Sequence, residues 1–396
     1  MGADISSAEW TKREGLRALT LALGADHIRW VGGAIRDSQM GLPVNDVDCA
    51  TLHRPDAVIE LCKKAGIRTV PTGIDHGTVT AILPDSPVEI TTLRRDVSTD
   101  GRRATVEFAD RWEEDAARRD FTINALYAHP ETLEISDYFG GLGDLRERRV
   151  RFIGDARDRI REDHLRILRY YRFQARFGAE LDEQAEEACA ELAPMLKGLS
   201  RERIAMELLG ILGLTDPTAT VARMHRKGVL GVILPEACKR ELAVFMDLIS
   251  AEDIQGFTAD PVRRLGALLP ALIEVAETVA ARLRLSRSQR AHLVALAERK
   301  EGDLAEPFAL AYREGRAIAI GRILLQGGNA HALKEWNVPQ FPLKGGEIVA
   351  RGITAGPAVA GMLRAIEDRW ISENFPDDAR VTQMLDEALS NFRDQA

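Results

Sequence analysis

The chain of 396 residues holds only four cysteines, Cys49, Cys62, Cys189 and Cys238, and no two of them form a CxxC pair. That excludes a zinc ribbon and a disulfide framework, and it suits a reducing, cytoplasmic setting. Histidine is scarce as well: there are eight, with no HExxH and no His-Asp dipeptide, so a histidine metal centre is not expected. No apolar run approaches the ~18 residues that cross a bilayer. The opening MGADISSAEWTKREG lacks the basic-then-apolar order of a secretory signal. Gly2 and Ser6 meet the loose myristoylation pattern, a short match of the kind that arises by chance. With 45% hydrophobic and 29% charged residues, what remains is an ordinary globular chain of two to four domains, with no membrane partner.

The formal charge of −8 is unevenly placed. Between Arg146 and Arg176 stand eleven arginines against five acids, a local net of +6, and between Arg94 and Arg119 there are seven arginines. Binding of a polyanion depends on the local field, so the overall sign does not exclude nucleic acid. Either cluster alone reads equally as a solvated helix face.

Periodicity divides the chain. An amphipathic helix is expected over 6–24, with strands at 27–31, 46–51, 67–71, 78–83 and 88–93, helices at 34–40 and 56–65, and a strand pair within 127–138. Beyond about Phe152, β-branched runs nearly vanish and helical spacing takes over. The expected fold is α+β: a mixed-sheet head over 1–150, a helical neck over 151–215, and a helical body and tail over 216–396.

Asp46-Val47-Asp48 opens a predicted strand. Side chains at i and i+2 share a strand face about 6–7 Å apart, and two carboxylates so placed can converge on two Mg²⁺ ions, the arrangement used for phosphoryl transfer. A bare DxD is weak evidence. Its context strengthens it: Gly32-Gly33 lies upstream between a strand and a short helix, where backbone N–H groups can approach a phosphate. Arg36, in that helix's first turn, can clamp the triphosphate. An ordinary tight turn explains Gly-Gly alone. Glu89, in another strand, is the candidate third metal ligand, though a solvent-facing glutamate fits the alternation equally well.

Five segments then resemble, in order, the motifs of the class II tRNA nucleotidyltransferases (CCA-adding enzymes) and bacterial poly(A) polymerases of the polymerase-β superfamily. Val31 to Asp37 followed by Asp46-Val47-Asp48 resembles the first, with Asp46 and Asp48 catalytic. Arg118 to Ala125 resembles the second, which implies ribose recognition by Arg119, Asp120 and Asn124. Asp137 with Gly140 and Gly141 resembles the third, a hinge. Glu162 to Arg166, continuing to Arg169, resembles the base-reading fourth. Ser200-Arg201-Glu202-Arg203 with Glu207 resembles the fifth, a helix-stabilising element.

The fourth motif has a chemical logic. Cytosine and adenine both present an amino donor beside a ring-nitrogen acceptor, while uracil and guanine present the reverse. A carboxylate beside a guanidinium therefore accepts C and A. Asp163 and Arg166, three apart, are read as neighbours on one helix face, with Glu162 and Arg169 supporting. Two reversed contacts would cost roughly 2–6 kcal/mol, about 30-fold to 10⁴-fold in selection.

The segment 94–108, with Arg94, Asp96, Arg102 and Arg103, resembles the flexible loop of CCA-adding enzymes, and its polar composition fits a mobile segment. Pro71 to Thr78 lacks the basic, phenylalanine-containing patch of poly(A) polymerases. The resemblance implies addition of C, C and A to the tRNA 3′ end from CTP and ATP with two Mg²⁺ ions. Poly(A) polymerase and an inactive RNA-binding module are the alternatives.

Overall fold

In the computed structural model, which describes residues 5–99, 104–179 and 181–394, the β-branched runs of the first third pair into one sheet of seven strands. These are β1 (Ile28–Val31), β2 (Asp48–Thr51), β3 (Arg68–Gly73), β4 (Thr78–Ile82), β5 (Pro87–Thr92), β8 (Leu126–Ala128) and β9 (Ile135–Asp137). Their order is β3-β4-β5-β2-β1-β8-β9, and the sheet is mixed. β2 runs antiparallel to β1 but parallel to β5. That parallel step needs a crossover, supplied by the Pro55–Lys64 helix and the β3-β4 hairpin. Pro55 starts this helix, where its missing N–H is no loss.

Two expectations differ from what is observed. The first helix begins at Glu14, and Ile5–Ser7 and Glu9–Lys12 are 3₁₀ turns. They bury Trp10, whose indole N–H donates to Ser38 at 2.8 Å and whose ring meets Trp30 edge-on. Secondly, the segment read as a loop pairs, in its described part, as an antiparallel ribbon, β6 (Arg94–Thr99) with β7 (Ala104–Phe108). Its β-branched residues favour strands, and an exposed Arg95–Glu107 pair spans it. Arg102 and Arg103 lie outside the described residues, and of Asp96 only the backbone pairing is described.

The chain divides into two compact units, Met1–Pro235 and Glu236–Ala396. The first combines the sheet with the helices that follow it. Phe121, Phe152, Tyr170 and Phe173 pack with ring centroids 4.8–6.4 Å apart and join the sheet's last connections to the Arg166–Phe177 helix. The second unit, among its described residues, is helical. Its tail helices close over Ile348, Ile366, Trp370, Met384 and Leu385.

Candidate active site

β2 begins at Asp48, with Asp46 in the irregular segment before it. The ladder therefore orients Asp48 alone, opposite Val31 on β1, and Asp46 stands two residues before it, near enough for its charge to act on Asp48. What the ladder does supply is Glu89. It sits directly across from Asp48 on parallel β5, where neighbouring strands lie about 4.8 Å apart and side chains share a face. The Asp48 carboxylate opens to solvent yet is crowded by protein. That partial desolvation, then the charges of Glu89 and Asp46, raises it above the ordinary range against the pull of Arg119.

Among the described residues, no three His, Cys, Asp or Glu side chains already converge at metal-ligand distance. The donor set still suits magnesium: these are hard carboxylate oxygens, and their mutual repulsion is what a divalent cation relieves. Cys49, next to Asp48, is buried with its thiol pushed up by burial, as expected for a packing residue.

Gly32 adopts φ 67°, ψ −118°, a conformation open to glycine, and a Cβ there would come 3.4 Å from Arg119 Nη1. Arg36 is not presented to a phosphate. The residue is 6% exposed, and its guanidinium lies over the rings of Phe173 and Phe177 and donates to Asp37 at 2.8 Å and to Asn124 Oδ1 at 2.5 Å. Buried and bonded to Asp37 and Asn124, it bridges the glycine turn to the Arg166–Phe177 helix.

Asn124 is buried too, and its amide donates to Asp120 Oδ1 at 3.0 Å. Asp120 caps no regular helix; its second oxygen accepts from Arg169 Nε at 2.7 Å. Arg119 is held by Tyr127 Oη at 2.8 Å and by Asp115 at 3.3 Å, while Arg118 takes the other Asp115 oxygen at 2.7 Å. Asp115 is the functional support that sequence reasoning missed, although its i,i+3 and i,i+4 spacing to the two arginines was a usable signal.

Burial opposes ionisation of Asp115, yet Arg119 and Arg118 pull it down to about 2. A carboxylate depressed in the fold stabilises it above the unfolded value near ~4 and loses that contribution as pH falls towards 2. Asp115→Asn should lower stability at pH 7 by roughly 2 kcal/mol and flatten the acid limb between about pH 4 and 2. Denaturant titrations across that range measure both; an unchanged limb would assign acid sensitivity to another group.

The base-reading segment departs from expectation in one respect. Asp163 ends the Ala156–Glu162 helix in extended conformation, and Arg166 starts the next one. The two are therefore not on one helix face. They meet at a break, fixed by Asp163 Oδ1 accepting from Leu165 N at 3.1 Å. Each is held from behind. Arg203 grips Asp163 at 2.6 Å; Glu162 grips Arg166 at 2.5 Å, and the carbonyls of Arg159 and Arg118 accept from the same guanidinium. Ser200 caps the Arg201–Leu212 helix that carries Arg203, and Glu207 on that helix binds Arg172 at 2.6 Å and Arg169 at 3.8 Å.

The Asp48–Glu89 edge and the Asp163–Arg166 break face a common cleft of about 500 Å³, with Arg119, Asp120 and Arg169 also in its wall. Asp46, Gly32, Gly33, Arg36 and Asn124 are not among its lining residues. Asp137 accepts from the N–H groups of Gly141 and Leu142 at 2.8 and 2.9 Å. Gly141 is packed so closely that a Cβ would meet the Thr122 carbonyl at 2.3 Å. These contacts make the Asp137–Gly141 corner tight.

Residues 28–151 match the family described as poly A polymerase head domain, and 178–240 the one described as probable RNA and SrmB-binding site of polymerase A. CCA tRNA nucleotidyltransferase 1, mitochondrial, of Mus musculus is 36% identical over 379 residues, covering 90% of this chain and 86% of that protein. The chain belongs to the CCA tRNA nucleotidyltransferase family. The family's CCA-adding enzyme from Streptococcus pneumoniae (strain G54) is 40% identical over 210 residues, 52% of this chain and 49% of its own length. Among solved CCA tRNA nucleotidyltransferase structures, the Bacillus stearothermophilus CCA-adding enzyme in complex with CTP shares the fold at TM-score 0.71 and 22% identity, covering 96% of this chain and 98% of that one. The Thermotoga maritima CCA-adding enzyme complexed with tRNA gives TM-score 0.71 at 20% identity, with 95% of each chain covered.

Proposed function

We propose that this chain adds C, C and A to the 3′ end of tRNA, using CTP and then ATP and releasing diphosphate. The observation that carries the reading is the single cleft that has the Asp48–Glu89 edge in one wall and the Asp163–Arg166 pair in another. A nucleoside triphosphate needs both kinds of wall, one for its phosphates and one for its base. Asp46, Asp48 and Glu89 would hold two magnesium ions, which when bound neutralise the triphosphate and activate the RNA 3′-hydroxyl.

The chain's own residues do the rest. Gly32 and Gly33 let the backbone approach the phosphates. Arg119 faces phosphate or sugar, held in place by Asp115. Asp120, fixed by Asn124 and Arg169, offers an oriented acceptor for a ribose 2′-hydroxyl. Asp163 and Arg166 select the base edge. Arg36 acts behind this surface by holding Asn124. We assign the hinge to Asp137, Gly140 and Gly141, and the moving segment to the ribbon with Arg94 and Asp96 and to Arg102 and Arg103, which fall between its strands in the sequence. We keep the head at 1–150, the neck at 151–215 and the tRNA-gripping body and tail at 216–396.

Among the described residues no helix is long and apolar enough to cross a membrane. The four free thiols, three of them buried, fit a reducing compartment. We place the chain in the cytoplasm on that ground; the vertebrate relatives are named as mitochondrial, and cell fractionation decides between the two.

The test is incubation with tRNA lacking its CCA end and each NTP separately. C addition from CTP, followed by a single A from ATP, is expected. Long A tails without C would move the assignment to poly(A) polymerase, and folded protein that extends nothing would leave an RNA-binding module.

A further inference from the structure

A nucleobase has an edge and two faces, and Asp163 with Arg166 accounts only for the edge. The faces are apolar and gain from contact with carbon, sulfur or another ring. The cleft offers little of that. Its wall is dominated by six arginines and five carboxylates, and of its apolar lining residues Val31, Cys49 and Leu165 are at most 4% exposed. Met206 is the exception. It lines the same cleft with 63% of its surface open to solvent.

Its position on the Arg201–Leu212 helix is specific. Met206 lies three residues after Arg203, so the two share a helix face. The Arg203 guanidinium touches Asp163 at 2.6 Å. The next residue, Glu207, is buried and turned to Arg169 and Arg172. Met206 thus stands beside the group that reads the base edge, on a helix that is itself pinned into the wall at two points. A thioether chain is polarizable and adapts to rings of different outline, which suits a site that must accept a pyrimidine and then a purine.

We propose that Met206 is the apolar platform against which the face of the incoming cytosine or adenine packs. The proposal rests on the nucleotidyltransferase reading of this cleft. Met206 is a positioning residue: it recognises a flat ring without distinguishing its edge, and takes no part in phosphoryl transfer.

The experiment compares full-length Met206→Ala and Met206→Leu with the unaltered chain in steady-state addition of C and A to tRNA lacking CCA. Met206→Ala should raise KM for CTP and for ATP by about 2- to 10-fold. It should leave kcat within about twofold and the preference for CTP over UTP unchanged. Met206→Leu should recover most of the KM. A side chain so exposed can be shortened without emptying a core, and a structural defect would lower kcat through the active fraction while leaving KM in place. Unchanged KM in Met206→Ala, a loss confined to kcat, or a shift in the CTP-to-UTP preference would each overturn the platform. Failure of the unaltered chain to add either nucleotide would instead refute the reading of the cleft, and the platform with it.

Discussion

Replacing Asp48 by asparagine should reduce nucleotide addition by about 10³-fold or more while leaving tRNA affinity within a factor of about two. The substitution is isosteric and keeps one carbonyl oxygen, so the β2 edge is not disturbed; what it removes is the negative charge that a divalent ion needs. It also removes the repulsion from Glu89 across the ladder. Metal-free Asp48→Asn should therefore melt no lower than the unaltered chain, which separates lost chemistry from lost folding.

The acid dependence follows from the same geometry. Burial and the neighbouring carboxylates raise Asp48 above the ordinary range, so its ionised, metal-competent form is lost with falling pH sooner than an isolated aspartate's would be. For stability the sign is opposite: a carboxylate raised in the fold stabilises below its unfolded value and loses that contribution as pH rises through its folded value. Bound metal should cancel that loss. Asp46→Ala should also impair turnover, but Asp46 stands before the ladder, exposed and outside the cleft's lining. Turnover at the unaltered rate in Asp48→Asn would remove Asp48 from the chemistry.

The second large effect is on base choice. Asp163→Asn should raise incorporation of UTP relative to CTP by roughly 10- to 100-fold, the worth of about one reversed hydrogen-bond contact. A carboxylate can only accept, whereas an amide can turn a donor towards the uracil carbonyl. The backbone break should survive, because asparagine Oδ1 can still accept from Leu165 N as Asp163 Oδ1 does at 3.1 Å. The Arg203 contact at 2.6 Å is made to the other oxygen and would be lost, because an amide NH2 there faces a guanidinium that can only donate. Competition assays with equal CTP and UTP measure the ratio directly. A ratio that stayed fixed while total turnover fell would mean that Asp163 supports the wall without reading the base.

The motif order and the change from β to α character near Phe152 were legible because both are local properties of the chain. The strand carrying Glu89 was legible too, while alternation left its role even between ligand and solvent; the parallel register that sets it opposite Asp48 is a non-local fact. Three features could not be read from spacing. Residues 163 and 166 carry helical spacing, yet the Asp163–Leu165 bond and the Arg203 pair stabilise a break there. Arg36 carries the signature of a phosphate clamp, and only the fold shows Phe173 and Phe177 closing on it from a helix more than a hundred residues away. The strands Arg94–Thr99 and Ala104–Phe108 have strand-forming residues in a polar setting, and pairing outweighed composition.

Nucleotide addition by this chain requires carboxylates at the start of β2 to take a divalent cation beside the incoming nucleotide. Titration of Mn²⁺ by electron paramagnetic resonance, with CTP present, in the unaltered chain and in Asp48→Asn, tests this most directly. Tight Mn²⁺ binding that Asp48→Asn weakens by at least about tenfold is the expected result. Equal Mn²⁺ affinity in the two proteins would contradict it.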